Sequence, residues 1–447
     1  MFKDDLIHVK KSFLIAYPVM LSQLGQVSVG IADSIMVGRI GKEPLAGASL
    51  GNSIFVIFLT FGIGVAYGIT PLVAQADGEG NHRRIINILK HGVLVNSLAA
   101  VALLSILIPI NFMLGHFNQP EEVVVLTRPY LLIISLSIIP FMFFQSFKQF
   151  TEGLSFTRQS MTVTIIGNLI NIALNYILIY GKLGFPSLGL TGAGIATFIS
   201  RFYMAFAMGG YVYFGMRFKV YRQYFKFGGY DRRLVRQILS IGLPSGMQFV
   251  FEVGAFSMAA IMMGWLGTVS LAAHQIAINL SALTYMMATG IATATTIRVG
   301  NQYGRNDIPL MRRMGFIGFS MGGLFMSFNA IIMIIFREKL PALYIGDPEV
   351  IRMASSLILV AALFQISDGI QVVGLGALRG MSDVRIPTLF TLIAYWILAL
   401  PIGYITGILL NMGPLGIWWG LWGGLTTAAV LLLWRFNRIS KKQDGIS

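Results

Sequence analysis

The chain has 447 residues, of which 55% are hydrophobic and only 11% charged, and its mean hydropathy is +0.74. A water-soluble domain carries roughly 25% charged residues, so this chain lacks the polar surface to live in water. The formal net charge of +15 raises nucleic acid as a partner, while the absence of cysteine removes disulfides and thiol chemistry.

An apolar run of about 20 residues crosses a bilayer as a helix. Twelve such runs are predicted, at roughly 12–38, 48–74, 91–112, 128–147, 160–181, 189–214, 237–263, 272–297, 314–336, 353–376, 386–409 and 414–436. The alternating segments of about ten residues that mark a transmembrane β-barrel are missing. The first run is longer than the apolar core of a secretory signal, about 7–15 residues, and no small-residue cleavage site follows it. The chain therefore reads as an all-α polytopic membrane protein, with the lipid bilayer as its first partner.

Charge then orients it. Threaded from the inside, the N-terminus, alternate connections and the tail carry twenty-five lysines and arginines. The opposite side holds seven: Arg39, Lys42, Arg128, Lys182, Arg337, Lys339 and Arg352. Such a bias places both termini in the cytoplasm. The basicity is topology, and no nucleic-acid partner is expected. Arg201 is the one base inside a span, and it is expected to meet a carbonyl or a lipid headgroup.

Shifted by 226 residues, the chain lies on itself. Between 13 and 82 there are 14 identities, among them Pro18/Pro244, Gly38/Gly264, Gly41/Gly267, Gly64/Gly290, Thr70/Thr296 and Gly78/Gly304, where composition alone gives about five. A shift of 227 lays "GLS" at 153–155 over "GMS" at 380–382. Two six-helix lobes follow, 1–214 and 237–447, joined by a basic cytoplasmic linker at 215–236. Six is even, so the lobes share an orientation and are related by a pseudo-two-fold axis along the membrane normal. Twelve helices in two such lobes, facing each other across a cavity, is a transporter architecture. Pro18 and Pro244 either bend equivalent helices or start them.

Polar residues inside the spans line up at helical spacing, which makes them surface neighbours. In chain order these are Ser22, Gln26 and Asp33 in the first span, Asn171 and Asn175 in the fifth, and Ser245, Gln248 and Glu252 in the seventh. Gln275 and Asn279 follow in the eighth, then Gln365, Asp368 and Gln371 in the tenth. Asp33, Glu252 and Asp368 are the acids at membrane depth, where ionisable groups are rare and face a bundle interior or a watery cavity. A carboxylate there either carries its proton or is neutralised by a cation, and two that share a site titrate as one unit. Under the repeat, Glu252 falls on Gln26, Asp33 on Ala259 and Asp368 on Phe141, so the lobes are expected to do different work. The plainer readings are an interhelical hydrogen bond for Glu252 and Asp368, and a place at the outer interface for Asp33. His274 is expected to be a satisfied interior histidine.

The stretches "ADSIMVGRIG", "EVGAFSMAAIMMGWLG" and, after Asp368, "GALRG" resemble multidrug and toxic compound extrusion (MATE) transporters of the NorM type. The resemblance covers essentially the whole chain. It implies a secondary active multidrug efflux antiporter, which exports bulky, mostly cationic organic compounds in exchange for Na+ or H+ by alternating access. It makes Asp33 the first-helix acid, with Asn171 and Asn175 of "NIALN" beside it. Glu252 and Asp368 become the cation-coupling acids, with Na+ as a candidate ligand of both. The seventh-helix glutamate separates the chain from DinF-like members, which would keep Asp33 alone. Gln26, Gln248, Gln275, Asn279, Gln365 and Gln371 would support a polar cavity. No cofactor beyond the coupling ion is expected, and the protein would be a monomer in the bacterial cytoplasmic (inner) membrane. Two rivals are weaker. A flippase for lipid-linked saccharides carries pyrophosphate and wants a cavity of Arg or Lys, whereas the buried charge here is acidic. An intramembrane enzyme would need a catalytic motif, and neither H-E-x-x-H nor another is present.

Overall fold

The computed structural model describes residues 2–224 and 229–443. Lys226 of the predicted linker, and the side chains of Lys3 and Arg222, lie outside the described part.

The chain is a succession of helices. α1 (Phe2–Gly38) leads through Gly41 into α2 (Lys42–Ala66), which breaks at Tyr67 and Gly68 before α3 (Ile69–Gly78). α4 (His82–Met113) follows, then α5 (Glu121–Leu136) and α6 (Ile138–Gly153), separated only by Ser137. α7 (Thr157–Tyr180) and α8 (Gly189–Phe214) complete the first half. After the short α9 (Lys219–Arg222) come α10 (Arg232–Trp265), α11 (Thr268–Gly304), α12 (Ile308–Ile335), the single turn α13 (Lys339–Ala342) and α14 (Pro348–Gly380). The next span is irregular: α15 (Arg385–Leu392), a π-helical stretch Ile393–Ala399, α16 (Leu400–Tyr404) and a second π stretch Ile405–Leu409. α17 (Gly413–Gln443) ends the described chain.

Among the described residues, eleven helical runs are long and apolar enough to cross a membrane. Lys42–Gly78 and Glu121–Gly153 count as one run each despite their breaks. α8 is the twelfth, at 26 residues, and Arg201 with its glycines lowers its hydropathy. Several runs reach 33 to 37 residues. At about 1.5 Å per residue these are ~50 Å long, well beyond the ~30 Å hydrocarbon core. Apolar patterning saw only their middles.

Pro18 lies deep inside α1 and Pro244 deep inside α10, so neither starts a helix. A proline there has no N–H for the carbonyl four residues back and bends the helix. Just beyond each proline the fold divides. One compact unit holds Leu21–Gly246, and the other holds Met1–Met20 with Met247–Ser447. The opening of α1 therefore belongs with the second half, and the opening of α10 with the first.

In the first unit α7 packs on α8, α2 on α5, and α6 on both α8 and α4. Leu131, Ile134, Met142 and Ile179 centre its core. In the second unit α14 is the hub, packed against α11, α12 and α17. Trp418 and Tyr395 are the largest side chains fully enclosed there.

The internal repeat is visible as repeated contacts. Gly41 and Gly267 take φ of 146° and 109° ahead of α2 and α11, conformations open to glycine. Asn81 caps α4 by accepting the Arg84 N–H, and Asp307 caps α12 by accepting that of Leu310. The Thr70 hydroxyl lies 3.2 Å from the Gln149 carbonyl, and its mate Thr296 lies 2.8 Å from that of Gly376. A Cβ on Gly153 would meet Val73 and the Thr70 carbonyl, while one on Gly380 would meet Val299 and the Thr296 carbonyl.

Candidate functional site: two buried charge clusters

The first cluster lies in the second unit. α10 presents Glu252 on the same side as Ala255 and Ala259, both fully buried, and Glu252 itself is 7% exposed. The Tyr285 hydroxyl of α11 donates to Glu252 Oε2 at 3.2 Å. Tyr395, from the π stretch, brings a second hydroxyl close to the same carboxylate. That hydroxyl donates its one proton to Gln371 Oε1 at 3.0 Å. The neighbouring Trp396 donates its indole N–H to the Phe251 carbonyl at 3.0 Å, so one π segment grips α10 on both sides of the acid.

Asp368 of α14 completes the cluster. It is 4% exposed, accepts no hydrogen bond among the described residues, and feels Glu252 as the one charged group acting on it. Gln365 and Gln371, one turn away on either side, are fully buried on its face. Gln365 accepts from Thr284 at 2.8 Å, and Gln371 leaves its Nε2 without a partner. Two carboxylates thus share a closed space with hydroxyls, amides and apolar side chains, and no described lysine or arginine pairs with either. Among the described residues no group of three or more histidines, cysteines or acids could hold a metal ion, so an ion here would rest on these two carboxylates with neutral oxygens beside them.

The second cluster lies in the first unit. Asp33 of α1 is partly buried and accepts from Asn175 Nδ2. Asn175 also donates to Asn171 at 3.1 Å, and Asn171 to Thr197 at 3.2 Å. Both asparagines are buried, 2% exposed for Asn171 and 0% for Asn175, so Asp33 is bound into an α7–α8 network. Arg201 is close enough to act on Asp33 electrostatically but forms no ion pair with it.

Other sequence-predicted residues go elsewhere. Gln248 donates to Thr388 at 3.1 Å and accepts from Arg379 at 3.4 Å, which draws it away from Glu252. Gln275 and Asn279 bond each other at 3.1 Å on an exposed stretch of α11. Gln26 is partly exposed on α1. Arg201 is partly exposed and donates to no backbone carbonyl among the described residues. It donates to the Ser137 hydroxyl at 2.7 Å, with the rings of Phe55 and Phe141 at 5.0 and 4.9 Å. The break between α5 and α6 frees that serine to receive it. His274 is not satisfied: it is 1% exposed, its Nδ1 has no partner, and it stands edge-on to Trp418 at 5.6 Å.

Tyr285 and Tyr395 escaped the sequence reading. Their signal was position. Tyrosine concentrates at membrane interfaces, and both sit near the centre of a predicted span.

The MatE family model matches the chain twice, over residues 18–177 and 244–405, so each match opens on one of the paired prolines. Multidrug resistance protein NorM of Photobacterium profundum is 35% identical over 96% of this chain and 95% of its own length. Multidrug resistance protein MdtK of Yersinia pseudotuberculosis serotype O:1b is 34% identical over 98% and 97%. Among solved structures, a MATE protein in the straight conformation superposes with a TM-score of 0.90 at 19% identity, covering 98% of this chain and 97% of that one. The eukaryotic MATE transporter AtDTX14 gives 0.87 at 19% identity, over 99% and 100%. At that identity the likeness is one of fold.

Proposed function

Because the chain belongs to the MatE family, among its NorM-like multidrug efflux transporters, we propose that it is a secondary active antiporter that exports bulky organic cations in exchange for Na+ or H+. The observation that carries this reading is the Glu252–Asp368 pair. Two carboxylates in one closed space, one of them without a single hydrogen bond, cannot both stand ionised and empty. Each must take a proton or share a cation, and the occupant that satisfies them excludes another of like charge. That exclusion is the chemical basis of exchange: ion in, organic cation out, with affinity differing between the two faces of an alternating-access cycle.

In this reading Tyr285 stabilises the ionised state between occupants, since a hydroxyl that donates to a carboxylate is worth more when the carboxylate is charged. Na+ would be held by the two carboxylates with neighbouring hydroxyl and amide oxygens, the hard donors such a cation prefers. Asp33 serves a separate station in the other unit, held ready by Asn175. The protein would act as a monomer of the bacterial inner membrane, in two six-helix lobes, 1–214 and 237–447, with both termini and the linker 215–236 cytoplasmic.

The test is transport in proteoliposomes under separately imposed Na+ and pH gradients. Glu252→Gln and Asp368→Asn should each abolish gradient-driven export of an organic cation such as ethidium, with protein levels unchanged. Full gradient-driven export by both variants would overturn the assignment.

A further inference from the structure

The end of α8 carries a segment that the efflux reading does not use. α8 has 26 residues, ~39 Å at 1.5 Å per residue. Centred on a ~30 Å hydrocarbon core, its end at Phe214 lies at the level of the headgroups. There Gly215, at φ −60° and ψ 130°, turns the chain into a short 3-10 turn, Met216–Phe218, which runs on into α9. Phe218 pins this turn to the first unit. It is 1% exposed, with the rings of Tyr211, Phe156, Phe150 and Tyr221 around it at 5.4, 5.7, 6.0 and 6.3 Å. The residues beside it are turned outward. Phe214 is 75% exposed, Met216 83% and Val220 49%, and Arg217 and Lys219 are exposed among them. Arg217 rests over the Phe156 ring at 5.4 Å, which steadies its guanidinium. Among the described residues neither it nor Lys219 forms an ion pair or a side-chain hydrogen bond. The positive charge continues along the chain: between 215 and 236 seven lysines and arginines stand against one acid, Asp231.

Exposed apolar side chains interleaved with unpaired bases, at headgroup depth, are the chemistry of an interfacial segment. Aromatic and apolar residues alone would mark only the edge of the bilayer; unpaired bases add a demand for negative charge. We propose that the segment 214–220 is a docking surface for the headgroups of anionic phospholipids, which ties the start of the connection between the two repeats to the bilayer. Phe214, Met216 and Val220 enter the acyl boundary. Arg217 takes a headgroup phosphate through two parallel N–H bonds, and Lys219 adds a point charge to the attraction of an anionic leaflet. The surface rests on the efflux reading only for the leaflet it meets, the cytoplasmic one; docking itself does not depend on transport.

The chain has no cysteine, so Val220→Cys places one polarity-sensitive NBD fluorophore on the full-length protein without background. Emission is compared in vesicles of phosphatidylcholine alone and in vesicles with about 30% phosphatidylglycerol, the anionic lipid used as probe. Phosphatidylglycerol should shift the emission to the blue and brighten it about twofold or more. The response should vanish in ~1 M salt, where the screening length falls to about 3 Å. It should vanish in the double variant Arg217→Gln with Lys219→Gln, and persist in Arg217→Lys with Lys219→Arg, which keeps the charge. A label at Met216→Cys should behave alike, which guards against a local effect of either label. Equal emission in the two kinds of vesicle would overturn the proposal, and so would a response that survives in the double glutamine variant. A response to inorganic phosphate added to phosphatidylcholine vesicles would assign the bases to a soluble anion and overturn lipid docking. Ethidium export measured in the same vesicles tests the efflux reading separately: its failure would overturn that reading and leave the emission result to decide this one.

Discussion

Gly64 is where helix packing in the first unit tolerates no methyl group. A Cβ built there stands 2.4 Å from Gly246 Cα, 2.5 Å from its nitrogen and 2.8 Å from the Ser245 carbonyl carbon. All three atoms are backbone, so no rotamer change can relieve the contact. Carbon pairs rest at about 3.5–4.0 Å, so α2 and α10 must part by roughly 1 Å along their seam. Overpacking of this kind costs about 1–3 kcal/mol, and the absence of any movable side chain puts Gly64→Ala at the upper end. Against it, alanine in a helix gains about 1 kcal/mol over glycine, which leaves a net loss of ~2 kcal/mol.

Gly30 of α1 supplies the control, because a Cβ there meets nothing within 4 Å. Gly30→Ala should keep the whole propensity gain, so the two variants should differ by ~3 kcal/mol in opposite directions from wild type. Gly290→Ala, the repeat mate of Gly64, meets the movable Met20 Cγ at 2.6 Å and fixed backbone at 2.9 and 3.0 Å, and should fall between. Denaturant unfolding of the purified protein in detergent, followed by tryptophan fluorescence, measures the order. A Gly64→Ala variant as stable as Gly30→Ala would refute the close approach of α2 and α10.

Three further outcomes rest on named contacts. An ion that occupies the Glu252–Asp368 pair binds only the folded state, so at about 100 times its Kd it should stabilise the protein by ~2.7 kcal/mol. Thermal melts with and without Na+ should show this in wild type and lose it in Asp368→Asn. Tyr395→Phe removes the one hydrogen bond of a Gln371 amide whose Nε2 is already unpartnered, and should destabilise by about 1–3 kcal/mol. An unchanged unfolding midpoint would contradict that geometry. His91 of α4 holds the entry to α10, with Nδ1 on the Asn87 carbonyl at 2.7 Å and Nε2 accepting the Asp231 N–H at 2.8 Å. His91→Phe should therefore speed tryptic cleavage between 217 and 236 severalfold in limited proteolysis, and equal rates would mean that this contact does not restrain the connection.

The acids and their close companions were legible because burial of charge is rare and helical spacing is strict. Gln365 and Gln371 had to share the face of Asp368 once α14 ran unbroken, and Asn171 and Asn175 had to stack on α7. Spacing failed where a neighbour outside the helix decided the matter. Gln248 sits one turn from Glu252, yet its amide bonds to Thr388 and Arg379 instead. Tyr395 was invisible for another reason. A π turn inserts an extra residue and rotates the downstream side chains by roughly 100° relative to an α-helix, so α-periodicity cannot say where Tyr395 faces. The break at Ser137 and the place of Met1–Met20 with the second half depend on packing across the chain, which local pattern does not carry.

The repeat explains why the two clusters differ. Contacts that hold a unit together occur in both halves, at Thr70 and Thr296, at Gly153 and Gly380, and at the caps Asn81 and Asp307. Contacts that handle charge occur once. Glu252 stands where the first half has Gln26, and Asp368 where it has Phe141; the first half answers with Asp33 and Arg201, neither matched by an ionisable residue in the second. Shared backbone contacts keep six helices in register whatever the polar residues are, so charge could change in one half without disturbing the other. A carboxylate pair suits an ion that must enter and leave, since its two like charges make the empty state costly.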